Sequence, residues 1–304
     1  MGISRREFVA AGGATLVASR LAWSAKEKRL PLAFSTLGCP KWELAKILEF
    51  AQANGFAAVE LRGMMGSLDL PSRPEFAPDR IAQTKKEIAD HGIRIACVSS
   101  STELHIPDTE KRAQGLADGK RFIDLAQALE APYVRVFGNK FEDGTREEVI
   151  ARVAAGMHEM AAYSGPRGVT VIIESHGDFV DSPTLKEVLT RANSEYAGLL
   201  WDAHHTYVDG HEEPEHTVAE LGKWIRHTHL KDSVQDGQER KYVLTGKGQV
   251  PVERQVQALR KIGYKGYYCF EWEKVWHPEL LEPEVAFPDY VRAMTGYLAE
   301  PLKG

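Results

Sequence analysis

The sequence predicts one α/β domain of the (β/α)8 (TIM) barrel class, and three observations predict it. From Leu30 onward, eight short β-rich runs alternate with amphipathic segments instead of falling into separate blocks. Glycines precede several of those runs, in Asn54-Gly55, His91-Gly92 and Ile262-Gly263, where a helix end wants a left-handed cap. No Pro/Gly-rich linker divides the stretch, whose length suits the roughly 250 residues typical of such a barrel. A doubly wound open sheet is the alternative reading of the same rhythm.

Taken in order, the first run is Leu30–Gly38, followed by a helix whose Leu44, Ile47, Leu48 and Ala51 fall at i, i+3, i+4 and i+7. The second run, Phe56–Arg62, opens into a long loop, Gly63–Pro78, and the third, Ile93–Ser99, into Ser100–Pro107. Pro132–Gly138 is the fourth run, and Ile150, Val153, Met157 and Met160 stripe the helix after it. Val169–His176, Gly198–Asp202 and Trp224–Lys231 are the fifth to seventh. The loop Asp232–Gln249 leads towards the eighth, Gly266–Trp272. In a barrel, the loops after the strands share the C-terminal face, where active sites are built.

The chain has 304 residues, 43% apolar and 27% charged, which excludes disordered, collagen-like and multi-span membrane classes. A net charge of −5 leaves no electrostatic footprint for nucleic acid and suits a small-molecule substrate. Cys39, Cys97 and Cys269 are too few and scattered for a disulfide framework and read as buried thiols. Residues 1–25 read as an address: Ser4-Arg5-Arg6-Glu7-Phe8-Val9 resembles a twin-arginine export motif. The apolar stretch from Val9 to Ser19 is too short to cross a bilayer, so no stable membrane insertion is expected. Export through the twin-arginine machinery to the periplasm follows as an expectation, with the barrel over 30–301. A homo-oligomer is compatible with the sequence.

Four runs end in acids and histidines, which needs a reason because an unpartnered buried charge costs several kcal/mol. The fifth ends Glu174-Ser175-His176, the sixth Trp201-Asp202-Ala203-His204-His205, the seventh His227-Thr228-His229-Leu230-Lys231-Asp232, the eighth Phe270-Glu271-Trp272-Glu273. Period-two alternation puts Glu174 with His176, His227 with His229 and Lys231, and Glu271 with Glu273 on common faces. Carboxylates converging there repel one another unless a cation neutralises them. Glu174, Asp202, His229 and Glu271 offer three hard oxygens and an imidazole. That set favours one divalent ion, Mn²⁺ first, with Mg²⁺, Co²⁺ or Zn²⁺ also fitting. Separate pairing of each acid with Lys or Arg is the plainer alternative.

These motifs, in this order, resemble the sugar phosphate isomerase/epimerase superfamily of xylose isomerase-like barrels, which includes tagatose 3-epimerase-like enzymes, inosose dehydratases and the endonuclease IV barrel. The resemblance covers Leu30 to about Leu298. It implies Glu174, Asp202, His229 and Glu271 as metal ligands, with Glu174 and Glu271 as the acid/base pair. It also implies His205 contacting a substrate oxygen, and His176 and Lys231 supporting the metal or binding substrate. The strand-7 segment departs from epimerases of free ketoses: Leu230-Lys231-Asp232 stands where they carry an acidic, arginine-bearing stretch, so substrate identity does not transfer.

The chemistry implied is proton removal beside a carbonyl through a metal-stabilised enediolate, giving epimerisation or isomerisation of a non-phosphorylated or oxidised sugar. A leaving group β to the carbanion turns the same site into a hydro-lyase. An endonuclease IV-like phosphodiesterase needs more metal ligands and a basic groove, and a non-catalytic sugar-binding protein needs only the ligands. Glu60 and Arg62 on the second run, and Arg135 and Asn139 on the fourth, have inward parity; they line the mouth or form ion pairs in the barrel layers. Trp272, Trp276 and His277 form an aromatic wall for a sugar or pack the last helix. His211-Glu212-Glu213-Pro214-Glu215-His216 is not a zinc-protease helix, because its histidines are five apart with Pro between. Gly246-Lys247-Gly248-Gln249-Val250-Pro251 lacks the Walker spacing and resembles the Gly-x-Gly turn before the last helix in many members.

Overall fold

The computed structural model describes residues 29–302, so the arginine pair and the apolar stretch expected to direct export lie outside the described residues. Short runs buried along most of their length suit strands covered on both faces, as a parallel sheet requires. They form β1 (Leu32–Ser35), β2 (Ala58–Leu61), β3 (Arg94–Glu103), β4 (Tyr133–Asn139), β5 (Thr170–Gly177), β6 (Ala197–Asp202) and β7 (Ile225–Leu230). A hairpin of β8 (Asp232–Asp236) and β9 (Glu239–Val243) intervenes before β10 (Tyr268–Phe270). The eight strands other than β8 and β9 close into a parallel barrel in which β10 pairs with both β7 and β1. The predicted class is borne out, and the open sheet is excluded.

Helices α1 (Leu44–Ala53), α2 (Ile81–Asp90), α3 (Thr109–Ala128), α4 (Arg146–Ser164), α5 (Ser182–Ala192), α6 (Ala203–Val208), α7 (Pro214–Leu221), α8 (Val252–Lys261) and α9 (Pro283–Ala299) lie between the strands. Their apolar faces are those the spacing predicts: Leu44, Ile47, Leu48 and Ala51 are buried in α1, and Ile150, Val153, Met157 and Met160 in α4. Thr145 and Glu148 close a capping box at the start of α4, satisfying two otherwise orphaned N–H groups. Gly55, Gly92 and Gly263 take positive φ, as expected of residues that end helices. No described helix is long and apolar enough to cross a membrane.

Two departures from the predicted boundaries shape the site. β3 continues to Glu103 where a loop was expected, because a bulge between Ser99 and Glu103 lets the strand bend while Ser100 Oγ donates to the Arg135 carbonyl at 2.7 Å. The loop after β7 folds into the β8/β9 hairpin around Asp236-Gly237, with Gly237 at φ +63. The three cysteines are free and buried, as read. Inside the barrel, Ile172 and Leu200 pack with Cys97 one alternation below Glu174 and Asp202, forming an apolar floor beneath the polar strand ends.

Candidate active site

Register brings the charged strand ends together. Asp202 lies opposite His229, and His229 opposite Cys269, two residues before Glu271. Donor atoms of Glu174, Asp202, His229 and Glu271 all lie within 4.8 Å of one another, and all four residues are buried. Asp202 is also the N-cap of α6: its Oδ1 accepts from the backbone N–H groups of His204 and His205, both at 3.0 Å. The Trp-Asp-Ala-His-His segment therefore ends a strand, caps a helix and presents Oδ2 to the cluster.

Glu60 sets the orientation of His229. Its Oε2 accepts from His229 Nε2 at 2.8 Å and His227 Nε2 at 2.9 Å, while Ser35 Oγ donates to its Oε1 at 2.9 Å. With Nε2 carrying the proton, Nδ1 is the nitrogen that faces the carboxylates, 3.2 Å from Glu271 and 3.5 Å from Glu174. Burial works against ionisation of Glu60, yet the two imidazoles hold its carboxyl well below the usual range. Expected by parity at the mouth, Glu60 instead lies fully buried beneath it, so the ion-pair alternative describes it and a place in the wall does not.

Lys231 is fully buried, and its Nζ lies 2.5 Å from Asp202 Oδ2 and 2.9 Å from Glu273 Oε1 and is also bonded to Glu271. Burial disfavours its charge, but these acids keep its proton bound well above the usual range. Asp202, Glu271 and Glu273 thus share an ammonium. Among the described residues, His229 Nδ1 and Glu174 Oε2 are buried with no hydrogen-bond partner, Arg135 Nε standing 3.2 Å from the latter as an ion pair. Three hard oxygens and one orphaned imidazole nitrogen, pointing to a common centre, fit a divalent cation.

Above this cluster opens a cavity of about 240 Å³. Glu174, Glu271, His176, His205, Arg135 and Trp276 line it, as the sequence reading expected; Asp202, His229 and Lys231 lie just beneath. His176 Nδ1 is 2.8 Å from Asn139 Oδ1, and Asn139 Nδ2 donates to Glu103 Oε1 at 2.6 Å. That chain turns His176 Nε2 towards the cavity. His205 Nδ1 bonds Asp209 at 3.1 Å, with Nε2 3.4 Å from Asp202 Oδ2. Of the aromatic candidates, Trp276 lines the cavity, whereas Trp272 is buried and donates to the Leu281 carbonyl at 2.9 Å. His277 stands against Tyr242, with ring centroids 5.2 Å apart.

Sequence reasoning missed Glu103, Asp209 and Tyr242. Asp209 follows His205 by one helical turn, a spacing that signals a partner. Tyr242, whose hydroxyl donates to Glu273 at 2.8 Å, sits on the hairpin that the Asp236-Gly237 pair announces. Glu103 has no local signal, since its position depends on the bulge in β3.

Residues 48–291 match the family described as xylose isomerase-like TIM barrel. A search of curated protein sequences returns no match. Solved structures similar to this chain include D-psicose 3-epimerase with D-tagatose from Clostridium cellulolyticum H10, at 15% identity and TM-score 0.72, covering 88% of this chain and 98% of that one. The probable 3-DHS dehydratase AsbF from Bacillus anthracis aligns at 16% identity and TM-score 0.72, covering 88% and 99%. The IOLI protein with a bound zinc atom aligns at 18% identity and TM-score 0.75, covering 89% and 98%.

Proposed function

The chain belongs to the xylose isomerase-like TIM barrel family, and from that premise we propose that it is a divalent-metal-dependent sugar isomerase or epimerase acting on a non-phosphorylated sugar. The observation that carries this reading is the pair Glu174 and Glu271, both lining the cavity and both within donor distance of His229 Nδ1. The epimerase and the zinc-bound protein among the structural neighbours support it.

Glu174, Asp202, His229 Nδ1 and Glu271 are the groups that would hold the cation, whose Lewis acidity makes a C–H bond beside a carbonyl easier to ionise. Glu174 and Glu271 then exchange the proton with carbon: removal by one leaves an enediolate, and return by the other to the opposite face gives the epimer. Return to the neighbouring carbon gives the aldose–ketose isomer. A positioned carboxylate contributes about 10²–10⁴-fold. Lys231 hydrogen-bonds both Asp202 and Glu271; burial opposes ionisation, yet His229 and Lys231 hold the Glu271 carboxyl well below the usual range, whereas burial raises that of Asp202. His176 reaches the cavity with Nδ1 already bonded and so offers Nε2 to a substrate hydroxyl, while His205 lines it with Nδ1 on Asp209 and Nε2 3.4 Å from Asp202 Oδ2. Leu37, Phe137 and Trp276 provide apolar wall.

A second reading, a hydro-lyase, is favoured by His205, an imidazole at the cavity wall backed by Asp209 and placed to protonate a departing hydroxyl. The dehydratase among the neighbours supports it. A phosphodiesterase is disfavoured by the net charge of −5. Two further groupings of candidate ligands exist among the described residues, but both reuse His229 or Asp202; in one Glu60 already accepts from both imidazoles, and in the other His204 Nε2 is bonded to Ser233. Periplasmic delivery by the twin-arginine route is part of the proposal and rests on the sequence Ser4-Arg5-Arg6-Glu7-Phe8-Val9 and the apolar stretch that follows it.

The test is incubation of the metal-loaded protein in D₂O with ketoses, inososes, uronates and 3-keto-glycosides, following C–H loss and new products by NMR. At least one substrate is expected to take up deuterium. Glu174→Gln and Glu271→Gln should each lower the exchange rate by at least about 10²-fold with circular dichroism unchanged. Unaltered exchange in both variants removes the acid/base assignment.

A further inference from the structure

Arg62 sits at the end of β2, where Thr36 Oγ1 accepts its backbone N–H at 3.0 Å and so fixes the main chain. Its side chain has no such anchor. Only 6% exposed, it lines the cavity, forms no ion pair among the described residues, and has Nη1 buried without a hydrogen-bond partner. Arg135 lines the same cavity at 1% exposure, with Nε and Nη1 likewise unbonded. Its contacts are Glu174, 3.2 Å from Nε, and the Phe137 ring, 3.8 Å from the guanidinium carbon. Burial, and then the proximity of Arg135, lower the proton affinity of Arg62 against the opposing pull of Glu174, Glu271 and Glu60, and the two guanidinium groups line one cavity.

A buried guanidinium without an acceptor is costly, and the cost is removed when an anion enters. Among the described residues, none of the acids around the cavity forms an ion pair with Arg62: Glu273 is held by Lys231 and Tyr242, Glu271 by Lys231, and Glu174 by Arg135.

We propose that Arg62 and Arg135 form an anion subsite beside the donor cluster, and that the substrate is a monosaccharide acid whose carboxylate this subsite takes. The inference rests on the isomerase/epimerase reading and names its substrate class. A planar guanidinium fork matches two carboxylate oxygens. A phosphate accepts the same fork, and the phosphorylated arm of the test below separates the two anions. The cavity, about 240 Å³, falls below the roughly 300–1,000 Å³ of drug-sized sites and suits one sugar unit, not two.

The test measures binding by isothermal titration to the full-length, Mg²⁺-loaded protein, using a panel of hexuronates with their neutral and 6-phosphorylated counterparts. At least one acid should bind about tenfold or more tightly than both counterparts. Arg62→Met should erase that preference while leaving the ligand-free melting temperature unchanged or raised, because the side chain forms no ion pair among the described residues and its buried charge has a desolvation cost. Arg62→Lys, which keeps charge without the fork, should retain part of it. Equal binding of acid and neutral sugar, stronger binding of the phosphate, or a preference that survives in Arg62→Met overturns the proposal. Deuterium exchange in the same samples separates the two claims. Exchange into neutral sugars without acid preference leaves the reaction and removes the subsite; Arg62-dependent acid binding without exchange leaves the subsite and removes the reaction.

Discussion

His229 is held between two demands: Glu60 fixes the proton on Nε2, and three other carboxylates face Nδ1. Without a cation, burial opposes charging the ring, but Glu271, Glu60 and Glu174 outweigh it and hold its proton well above the usual imidazole range. A pKa raised in the folded state contributes stability in full below the unfolded value of about 6.5, and that contribution is lost as pH rises through the folded value. A cation that takes Nδ1 must expel this proton. Metal affinity is therefore expected to rise by about tenfold per pH unit from pH 6 to 8, measured by competition with a chelator of known affinity. A flat profile means that His229 Nδ1 is not a ligand. Glu60→Gln removes the charge that orients the ring, and should weaken metal binding by about 10–100-fold in the same assay while Glu174 and Glu271 remain in place.

The connection between β7 and β10 shows how an element holds a site without touching substrate. Asp232, next to Lys231, accepts four backbone N–H groups: Ser233 at 2.8 Å, Gly246 at 2.9 Å, Gly248 at 2.8 Å and Val250 at 3.1 Å. That carboxylate ties the hairpin to the strand carrying His229, and the hairpin returns Tyr242 to Glu273. Gly248 is required because a Cβ there would stand 2.1 Å from Asp232 Oδ1 and 2.5 Å from the Ser233 carbonyl. Asp232→Asn keeps the shape but leaves only one acceptor oxygen for four donors. It should cost about 2 kcal/mol and lower the melting temperature by roughly 4–8 °C in a domain of this size. A melting curve identical to wild type shows that the loop is held by something else.

On the scale of the whole barrel, a cation that binds the native cluster and not the unfolded chain stabilises by mass action, about 2.7 kcal/mol at a hundredfold excess over Kd. Stripping with EDTA should lower the melting temperature by roughly 5–10 °C, and restoring Mn²⁺ or Mg²⁺ should recover it, with one ion per chain by elemental analysis; no shift in either direction argues that Lys231 alone neutralises the acids. How far the sequence reaches is visible in the same residues. The stripes of α1 and α4, the glycines after the helices and the inward parity of Glu174, Asp202, His229 and Glu271 were legible, because a helix or strand converts spacing directly into a face. The depth of Glu60 was not, since it bonds His229 across 169 residues, and only the closing of the barrel sets which strand ends meet at which height. The same holds for Lys231 among three acids and for Arg62, which forms no ion pair among the described residues. By itself the sequence determined the barrel rhythm and the face on which each charged residue stands, both matters of local geometry. Which partner each charge finds, and which finds no partner, was decided by tertiary structure, because that depends on the register and stagger of strands far apart in the chain.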